Sequence, residues 1–327
     1  MKKKYPPLDL SKIKTYSIKG RKSKVRLDDE ARPHRPGGSF KDFLEHLPPI
    51  LAAGDFKKVI SAIAKAHTNG KTVMIGMGAH PIKVGLNPIL IDLMERGIIQ
   101  SLALNGAGII HDFELAYIGH TSEDVAAELA TGAFGMAEET AQILNGWVAE
   151  GVKKGLGIGE SIGQKIISDE LPYRHNSLLA TGARLGLPVT VHVAIGTDII
   201  HMHPSADGAA IGEGSLRDFH RLTSVVSRLE GGVYLNIGSS VILPEVFLKA
   251  LTIARNLGYK VDRFTTVNMD FLQHYRPVTN VVSRPTRQGG QGYQLTGHHE
   301  IMVPLLAAGL LETLAQPKFE AKPSRES

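Results

Sequence analysis

Short apolar runs alternate with longer helical patterns along this 327-residue sequence, and that alternation limits the folds open to it more than any other feature. Apolar runs without polar alternation are typical of strands buried on both faces, as in a parallel sheet covered by helices. Strands are predicted at Thr72–Ile75, Ile99–Leu104, Val189–Ile195, Val233–Ile237 and Phe264–Val267. Helices are predicted at Phe40–Leu47, Asp55–Ala66, Ile82–Arg96, Glu123–Val152, His175–Leu185, Leu216–Leu229, Pro244–Leu257 and Glu300–Leu314. With right-handed crossovers, this order predicts an α/β fold: a doubly wound, mostly parallel Rossmann-like sheet with helices on both faces.

The net charge of +5 is unevenly distributed. Residues 1–36 contain 12 Lys and Arg against 4 Asp and Glu, whereas the remainder is slightly acidic. A nucleic-acid-binding protein usually carries its basic residues on a folded face, so nucleic acid is not an expected partner. We predict a basic N-terminal arm over 1–38, a single α/β domain over 39–315 and a disordered tail over 316–327.

The composition excludes several classes of protein. The chain has no cysteine, which rules out disulfide scaffolds, cysteine-ligated zinc and thiol nucleophiles. Its first residues are polar rather than a signal peptide, and its longest apolar stretch, Ile301–Ala315, contains Pro304 and Glu312 and is too short to span a bilayer. We therefore expect a cytoplasmic protein without a membrane partner.

Small or polar residues follow the predicted strands. The carboxyl ends of parallel strands form the ligand crevice of such a sheet, and glycines there allow close approach of a phosphate to backbone N–H groups. The predicted nucleotide-binding residues are Gly76, Met77, Gly78 and Ala79; Asn105, Gly106, Ala107 and Gly108; Gly238, Ser239 and Ser240; and Asp270. The GxGxxG spacing is absent, and a tight turn would explain each segment taken singly.

Three titratable residues are candidates for the chemistry. Asp112 follows His111, and a carboxylate beside an imidazole can orient it as a general base. Asp112 is equally suited to capping a helix, and both interpretations remain open at this stage. Asp198, at the end of another predicted strand, is a candidate for holding a hydroxyl or an amine of the substrate.

A metal site is an alternative. His201 and His203 lie two residues apart, so both point to the same side of an extended chain, and His298 and His299 could add further ligands. This pattern would fit a metal-dependent hydrolase or lyase.

The order of these segments resembles the deoxyhypusine synthase family, including its homospermidine synthase-like branch, over about residues 40–315. The resemblance rests on the turn Gly76–Pro81, the Gly106–Asp112 segment, the strand Val189–Asp198, the turn Gly238–Val241, the Arg276–Ser283 stretch and the Pro304–Leu306 segment. It implies a homotetramer that binds NAD near subunit interfaces and removes a hydride from a polyamine. It also implies an N-terminal arm that covers the active site of a neighbouring subunit.

The sequence departs from that family at the residues that matter most. Leu243 stands where the family has its imine-forming lysine, and leucine has no amine with which to form an imine. Arg284 replaces a substrate-stacking tryptophan and His298 an acidic residue, which together with Arg276 predicts a different, anionic substrate group. Deoxyhypusine synthesis itself is therefore not expected.

The segment around His111 is also similar to ornithine-cyclodeaminase-type Rossmann domains, which use NAD to oxidise an amino-acid amine. The leading hypothesis is thus an NAD-dependent transferase or oxidoreductase that abstracts hydride from an amine-bearing carbon of a polyamine or amino-acid-like substrate. The alternatives are the metal-dependent enzyme described above and a non-catalytic nucleotide-binding relative.

Overall fold

A computed structural model describes residues 5–316 as helices packed around one parallel sheet. The six strands are β1 Val73–Met77, β2 Ser101–Asn105, β3 Val189–His192, β4 Val233–Ile237, β5 Thr265–Asp270 and β6 Gln291–Thr296. Their order across the sheet is β3-β2-β1-β4-β5-β6, and every neighbouring pair is parallel. This is the doubly wound Rossmann order, and the direction of winding reverses between β1 and β4. The predicted fold class is confirmed.

Helices cover both faces of the sheet. Before β3 the helices are α1 Phe40–His46, α2 Leu51–Thr68, α3 His80–Lys83, α4 Asn87–Glu95, α5 Gly106–Ile118, α6 Val125–Leu129, α7 Glu138–Lys153, α8 Ile158–Ser168 and α9 Leu178–Leu185. After β3 they are α10 Gly208–Val226, α11 Ile242–Asn256, α12 Tyr275–Pro277 and α13 His299–Leu314, with a π-helical turn at Val278–Ser283. None of the helices within residues 5–316 is long and apolar enough to cross a membrane.

Alternate residues of the central strands enter two different cores. Ile75 and Leu235 face the larger core, which includes residues of α2, α4 and α13. Met74 and Tyr234 face the opposite side, where α10 and α11 supply Leu222 and Phe247 among others. Since successive side chains of a strand point to opposite faces, a strand between two helical layers is apolar on both faces rather than on alternate positions, which is the pattern read from the sequence for most residues of β1 and β4.

Some predicted boundaries are wrong. The predicted helix Ile82–Arg96 is two helices, because Gly85 adopts φ +80° between α3 and α4. The predicted helix Glu123–Val152 is likewise divided into α6 and α7, with Gly132 and Gly135 at positive φ between them. Strand β6 was not predicted: Leu295 is its one buried residue, so the sequence lacks an apolar run there.

The basic arm has little regular structure. Residues 5–38 are extended and almost entirely exposed, apart from short 3₁₀ turns at Ile18–Gly20 and Leu27–Asp29. The predicted tail falls outside the described residues except for Gln316, and the division of the chain into arm, domain and tail stays a prediction.

Candidate functional site

The tips of β1 and β4 meet where the winding of the sheet reverses. The N–H of Gly78, directly after β1, donates to the carbonyl of Ile237 at 3.0 Å. A Cβ on Gly78 would overlap the carbonyl oxygen of Gly238, so this approach of two backbones requires glycine. Gly238 itself adopts φ +65°, and its own Cβ would lie 2.7 Å from the ring of His299. The predicted juxtaposition of these two turns is present.

The same two turns present unused hydrogen-bond donors. Among residues 5–316, the backbone N–H groups of Ala79, Ser239, Ser240 and Val241 donate to no acceptor. The last three directly precede α11, a helix of 15 residues, and the Ser239 hydroxyl accepts from the N–H of Leu243 at 3.2 Å. Consecutive free N–H groups before a long helix are a suitable site for a phosphate.

Gly76 and Met77 are not part of this turn. Both are buried inside β1, and a Cβ on Gly76 would overlap the hydroxyl of Tyr234. Gly76 therefore makes room for a core tyrosine, and the interpretation of these two residues as cofactor ligands is corrected.

The turn after β2 is already occupied by a carboxylate. Asn105 caps α5 by accepting from the N–H of Gly108 at 3.2 Å, and the Asp198 carboxylate lies so close to Gly106 that a Cβ there would overlap it. Asp198 Oδ2 is buried and makes no hydrogen bond with the described residues. Burial raises the pKa of Asp198, against the opposing effect of His201. A negative charge at this helix start disfavours phosphate in the Asn105–Gly108 turn.

A cavity of about 820 Å³ opens beside this turn. Its wall includes three predicted site residues, Ala107, His111 and Asp198. It also includes Lys83, Glu114, Tyr117, His120, Thr121, Glu123, Phe134, Glu139 and Thr140. A volume of this size accommodates a small molecule or part of a dinucleotide.

His111 is hydrogen-bonded on this wall, but not to Asp112. Its Nδ1 lies 2.7 Å from the Thr121 hydroxyl, which donates to Glu114 Oε2 at 2.5 Å. Thr140 donates to the other oxygen of Glu114 at 3.0 Å. Burial lowers the pKa of His111, although the charge of Glu114 partly opposes this, so the imidazole is neutral at pH 7. Glu114 and Thr121 are not among the site residues predicted from the sequence. Glu114 lies about one helical turn after His111, and this spacing could have indicated that the two side chains are neighbours.

Asp112 has the structural role that the sequence left open. Its buried carboxylate accepts from the Ser177 hydroxyl at 2.5 Å and from the N–H groups of Leu178 and Leu179 at 2.8 and 3.2 Å, at the start of α9. Asn87 donates a fourth bond at 3.1 Å. Despite these donors, burial raises the pKa of Asp112 to about 6. The predicted His111–Asp112 pair is corrected, because these bonds direct Asp112 toward α9 rather than toward His111.

A cluster that the sequence analysis largely missed flanks the other side of the β1–β4 turns. His299, the first residue of α13, is fully buried, and neither ring nitrogen makes a hydrogen bond with residues 5–316. Its Nε2 lies 3.7 Å from Asp270 Oδ1 at the end of β5. The ring centroids of His80 and Phe271 lie 5.5 and 5.9 Å from the ring centroid of His299. Asp270 thus lies at the predicted crevice beside His299, which the sequence indicates only as a possible metal ligand.

The histidine pair proposed as a metal site has other partners. His201 Nδ1 accepts from the N–H groups of Gly196 and Asp198, and His203 Nδ1 lies 2.7 Å from the Ser205 hydroxyl. Within residues 5–316, no group of three or more His, Asp or Glu side chains is arranged to hold a metal ion.

The predicted substrate ligands are engaged outside the cavity wall. Arg276 pairs with Glu245 at 3.4 Å, Arg284 donates to Asn280 at 2.9 Å, and the exposed His298 stacks on Phe271. Arg276 and Arg284 are linked to each other through Glu245 and Asn280, and the role of the three residues as substrate ligands stays a prediction.

Leu243, at the position of the family lysine, is 1% exposed in the core beside Tyr234 and Phe247. Lys249, the next lysine along α11, is exposed and pairs with Glu245. Neither residue is therefore placed to act as an imine-forming lysine.

No protein-family model matches this sequence, and no curated protein matches it. Among solved structures, a conserved putative LOR/SDH protein from Methanococcus maripaludis S2 aligns over 81% of this chain and 71% of its own, with 16% identity and a TM-score of 0.51. Unliganded AgrE aligns over 79% of this chain and 32% of its own, with 15% identity and a TM-score of 0.52. ArgZ, an arginine dihydrolase from the ornithine-ammonia cycle in cyanobacteria, aligns over 80% of this chain and 32% of its own, with 14% identity and a TM-score of 0.50.

These similarities concern the fold. This chain spans about one third of the length of AgrE and ArgZ. AgrE has also been solved as a ternary complex with ornithine and NAD+. A putative deoxyhypusine synthase from Entamoeba histolytica aligns over 86% of this chain and 96% of its own, but with 10% identity and a TM-score of 0.49, which assigns no family.

Proposed function

We propose that this protein is an NAD-dependent enzyme that removes a hydride from the amine-bearing carbon of a small amino acid or polyamine. The observation that carries the proposal is the row of unused N–H groups after β1 and β4, at the reversal point of the sheet. Dinucleotides bind at this point in Rossmann folds. About one third of AgrE shares this fold, and because AgrE has been solved with ornithine and NAD+, we propose the same ligand classes here.

The residues around the β1–β4 turns fit such a cofactor. Ala79, Ser239 and Ser240 would donate backbone hydrogen bonds to the diphosphate, and Gly78 keeps the approach free of a side chain. Asp270, buried at the neighbouring strand end, would accept from a ribose hydroxyl. When bound, NAD+ would supply the hydride acceptor.

The cavity beside α5 fits a cationic substrate. Its wall carries four carboxylates, those of Glu114, Glu123, Glu139 and Asp198, against the single ammonium of Lys83. A surface of this sign attracts a protonated amine, and Lys83 could bind a substrate carboxylate. His111, neutral at pH 7, would accept a proton from the substrate ammonium, which must become an amine before hydride can leave the adjacent carbon.

Calorimetric titration with NAD+ tests the cofactor site. We expect saturable binding that inorganic diphosphate competes for, and at least tenfold weaker binding in Gly78→Ala, because the added Cβ pushes the two turns apart. The matched control is Gly146→Ala in α7, where a Cβ meets no atom within 4 Å. Failure of the folded wild type to bind millimolar NAD+ would refute the proposal.

A non-catalytic nucleotide-binding protein is a second candidate, favoured by the burial of Leu243 in the core. The two are separated by incubating the protein with NAD+ and a panel of amino acids and polyamines while following NADH absorbance. Binding without reduction by any member of the panel would favour the non-catalytic role.

We also propose that the protein self-associates, as a homotetramer with cofactor sites near subunit interfaces. The arm exposes large apolar side chains, including Leu8 at 85% and Leu27 at 81%, which association would remove from water. Analytical ultracentrifugation of the full chain should give four times the 35.3 kDa chain mass. A monomer throughout the micromolar range would exclude this proposal without affecting the cofactor site.

A further inference from the structure

We propose that Glu114 and Thr121 hold His111 as its Nδ1–H tautomer, which leaves Nε2 as the proton acceptor of the cavity. Glu114 and Thr121 are then positioning residues, and His111 is the catalytic base. Four side chains in contact, those of His111, Thr121, Glu114 and Thr140, fix where the protons lie.

Glu114 carries an ionised carboxylate, which can only accept, and both of its oxygens have hydroxyl partners: Thr121 at 2.5 Å and Thr140 at 3.0 Å. Each threonine must therefore direct its one hydroxyl proton at Glu114. Thr121 has no second proton, yet its oxygen lies 2.7 Å from His111 Nδ1. A hydrogen bond at that distance requires that the imidazole supply the proton, so Nδ1 is protonated.

The other nitrogen is left free. Within residues 5–316, His111 Nε2 makes no hydrogen bond, while the His111 side chain forms part of the cavity wall. In a neutral imidazole with Nδ1–H, Nε2 carries the lone pair. His111 thus has the arrangement of a general base. The Glu114 carboxylate orients it through the Thr121 hydroxyl rather than by direct contact.

The chemical use of this base rests on the proposed function, whereas the tautomer does not. When Nε2 takes a proton, an N–H bond of the substrate ammonium breaks, a bond from Nε2 to hydrogen forms, and the positive charge passes to the imidazole. The charge of Glu114 favours that imidazolium, whereas Lys83, on the same wall, opposes it.

Nitrogen NMR of protein labelled with ¹⁵N-histidine tests the assignment directly, because protonated and unprotonated ring nitrogens have well-separated shifts. The His111 signals are identified by their loss in His111→Gln. We expect a protonated Nδ1 and an unprotonated Nε2 at neutral pH. A wild-type spectrum with Nε2 protonated would overturn the inference without bearing on NAD+ binding.

Two variants at Thr121 separate the hydroxyl from simple packing. Thr121→Val keeps the shape and should allow the Nε2–H form to appear, while the control Thr121→Ser should retain the wild-type tautomer. Glu114→Gln should lower the pKa of His111 in the same spectra, because a negative charge beside it is lost. An unchanged tautomer in Thr121→Val together with an unchanged titration in Glu114→Gln would contradict the positioning role.

Discussion

Replacing Asp112 by asparagine should destabilise the protein by an amount that depends strongly on pH. Asparagine keeps one acceptor oxygen and replaces the other by an NH2 group. If Oδ2 is replaced, the N–H of Leu179 loses its acceptor, whereas the Ser177 hydroxyl can turn to accept from the amide. An unsatisfied buried donor costs about 1–3 kcal/mol, so we expect a loss of ~1–3 kcal/mol when Asp112 is protonated in the folded state.

At higher pH Asp112 ionises, which destabilises the folded wild type and so reduces its advantage over Asp112→Asn. The pKa of Asp112 rises from 3.8 to about 6 on folding, so the folded state binds more protons between these values and wild-type stability falls as the pH rises through them. Two pKa units correspond to ~3 kcal/mol, a cost that asparagine does not carry. The stability difference between wild type and Asp112→Asn should therefore shrink by ~3 kcal/mol from about pH 4 to about pH 8.

Urea denaturation followed by circular dichroism at a series of pH values measures this difference. Asp218, whose pKa burial raises to about 7, adds a decline of the same sign, but it is present in both proteins and cancels. The exposed Asp92→Asn is the control and should change stability by within ~0.5 kcal/mol at each pH. A stability difference for Asp112→Asn that is constant or grows with pH would show that the carboxylate is not penalised by burial.

Three further substitutions separate structural roles from cofactor binding. Leu243→Lys should lower the free energy of unfolding by at least ~3 kcal/mol, measured by urea denaturation, because an ammonium would be buried beside Phe247; stability equal to wild type would mean that the position opens to solvent. Ser239→Ala should cost ~1 kcal/mol in the same assay, because the N–H of Leu243 loses its acceptor, and no cost would show that this hydrogen bond does not stabilise the start of α11. Gly76→Ala should cost ~1–3 kcal/mol through overlap with Tyr234 while NAD+ affinity measured by calorimetry stays unchanged; lost affinity with intact stability would restore Gly76 to the cofactor site.

Strands β1 to β5 could be predicted from the sequence because they are buried on both faces, so each is a short run rich in apolar or β-branched residues. Strand β6 lies at the sheet edge with five of its six residues exposed or half-buried, and such a strand leaves no apolar run to detect. The role of Asp112 depends on Ser177, 65 residues away, and local patterns carry no information about that contact. The same holds for the buried contact between His299 and Asp270, which only the packing of α13 against the sheet creates.

The short helix after β1 and the position of Asp198 explain why the phosphate site is proposed mainly in the turn after β4, with only Ala79 added from the turn after β1. Helix α3 after β1 has only four residues and so contributes little dipole, and the start of α5 after β2 already faces the Asp198 carboxylate. Helix α11 is the long helix of the crevice whose preceding N–H groups are unused. A diphosphate between β1 and β4 would therefore use the dipole of α11, while the carboxylate-rich wall beside α5 repels phosphate and favours a cationic amine. This distribution of charge supports the proposal that the diphosphate of the cofactor lies between β1 and β4 and the substrate lies beside α5.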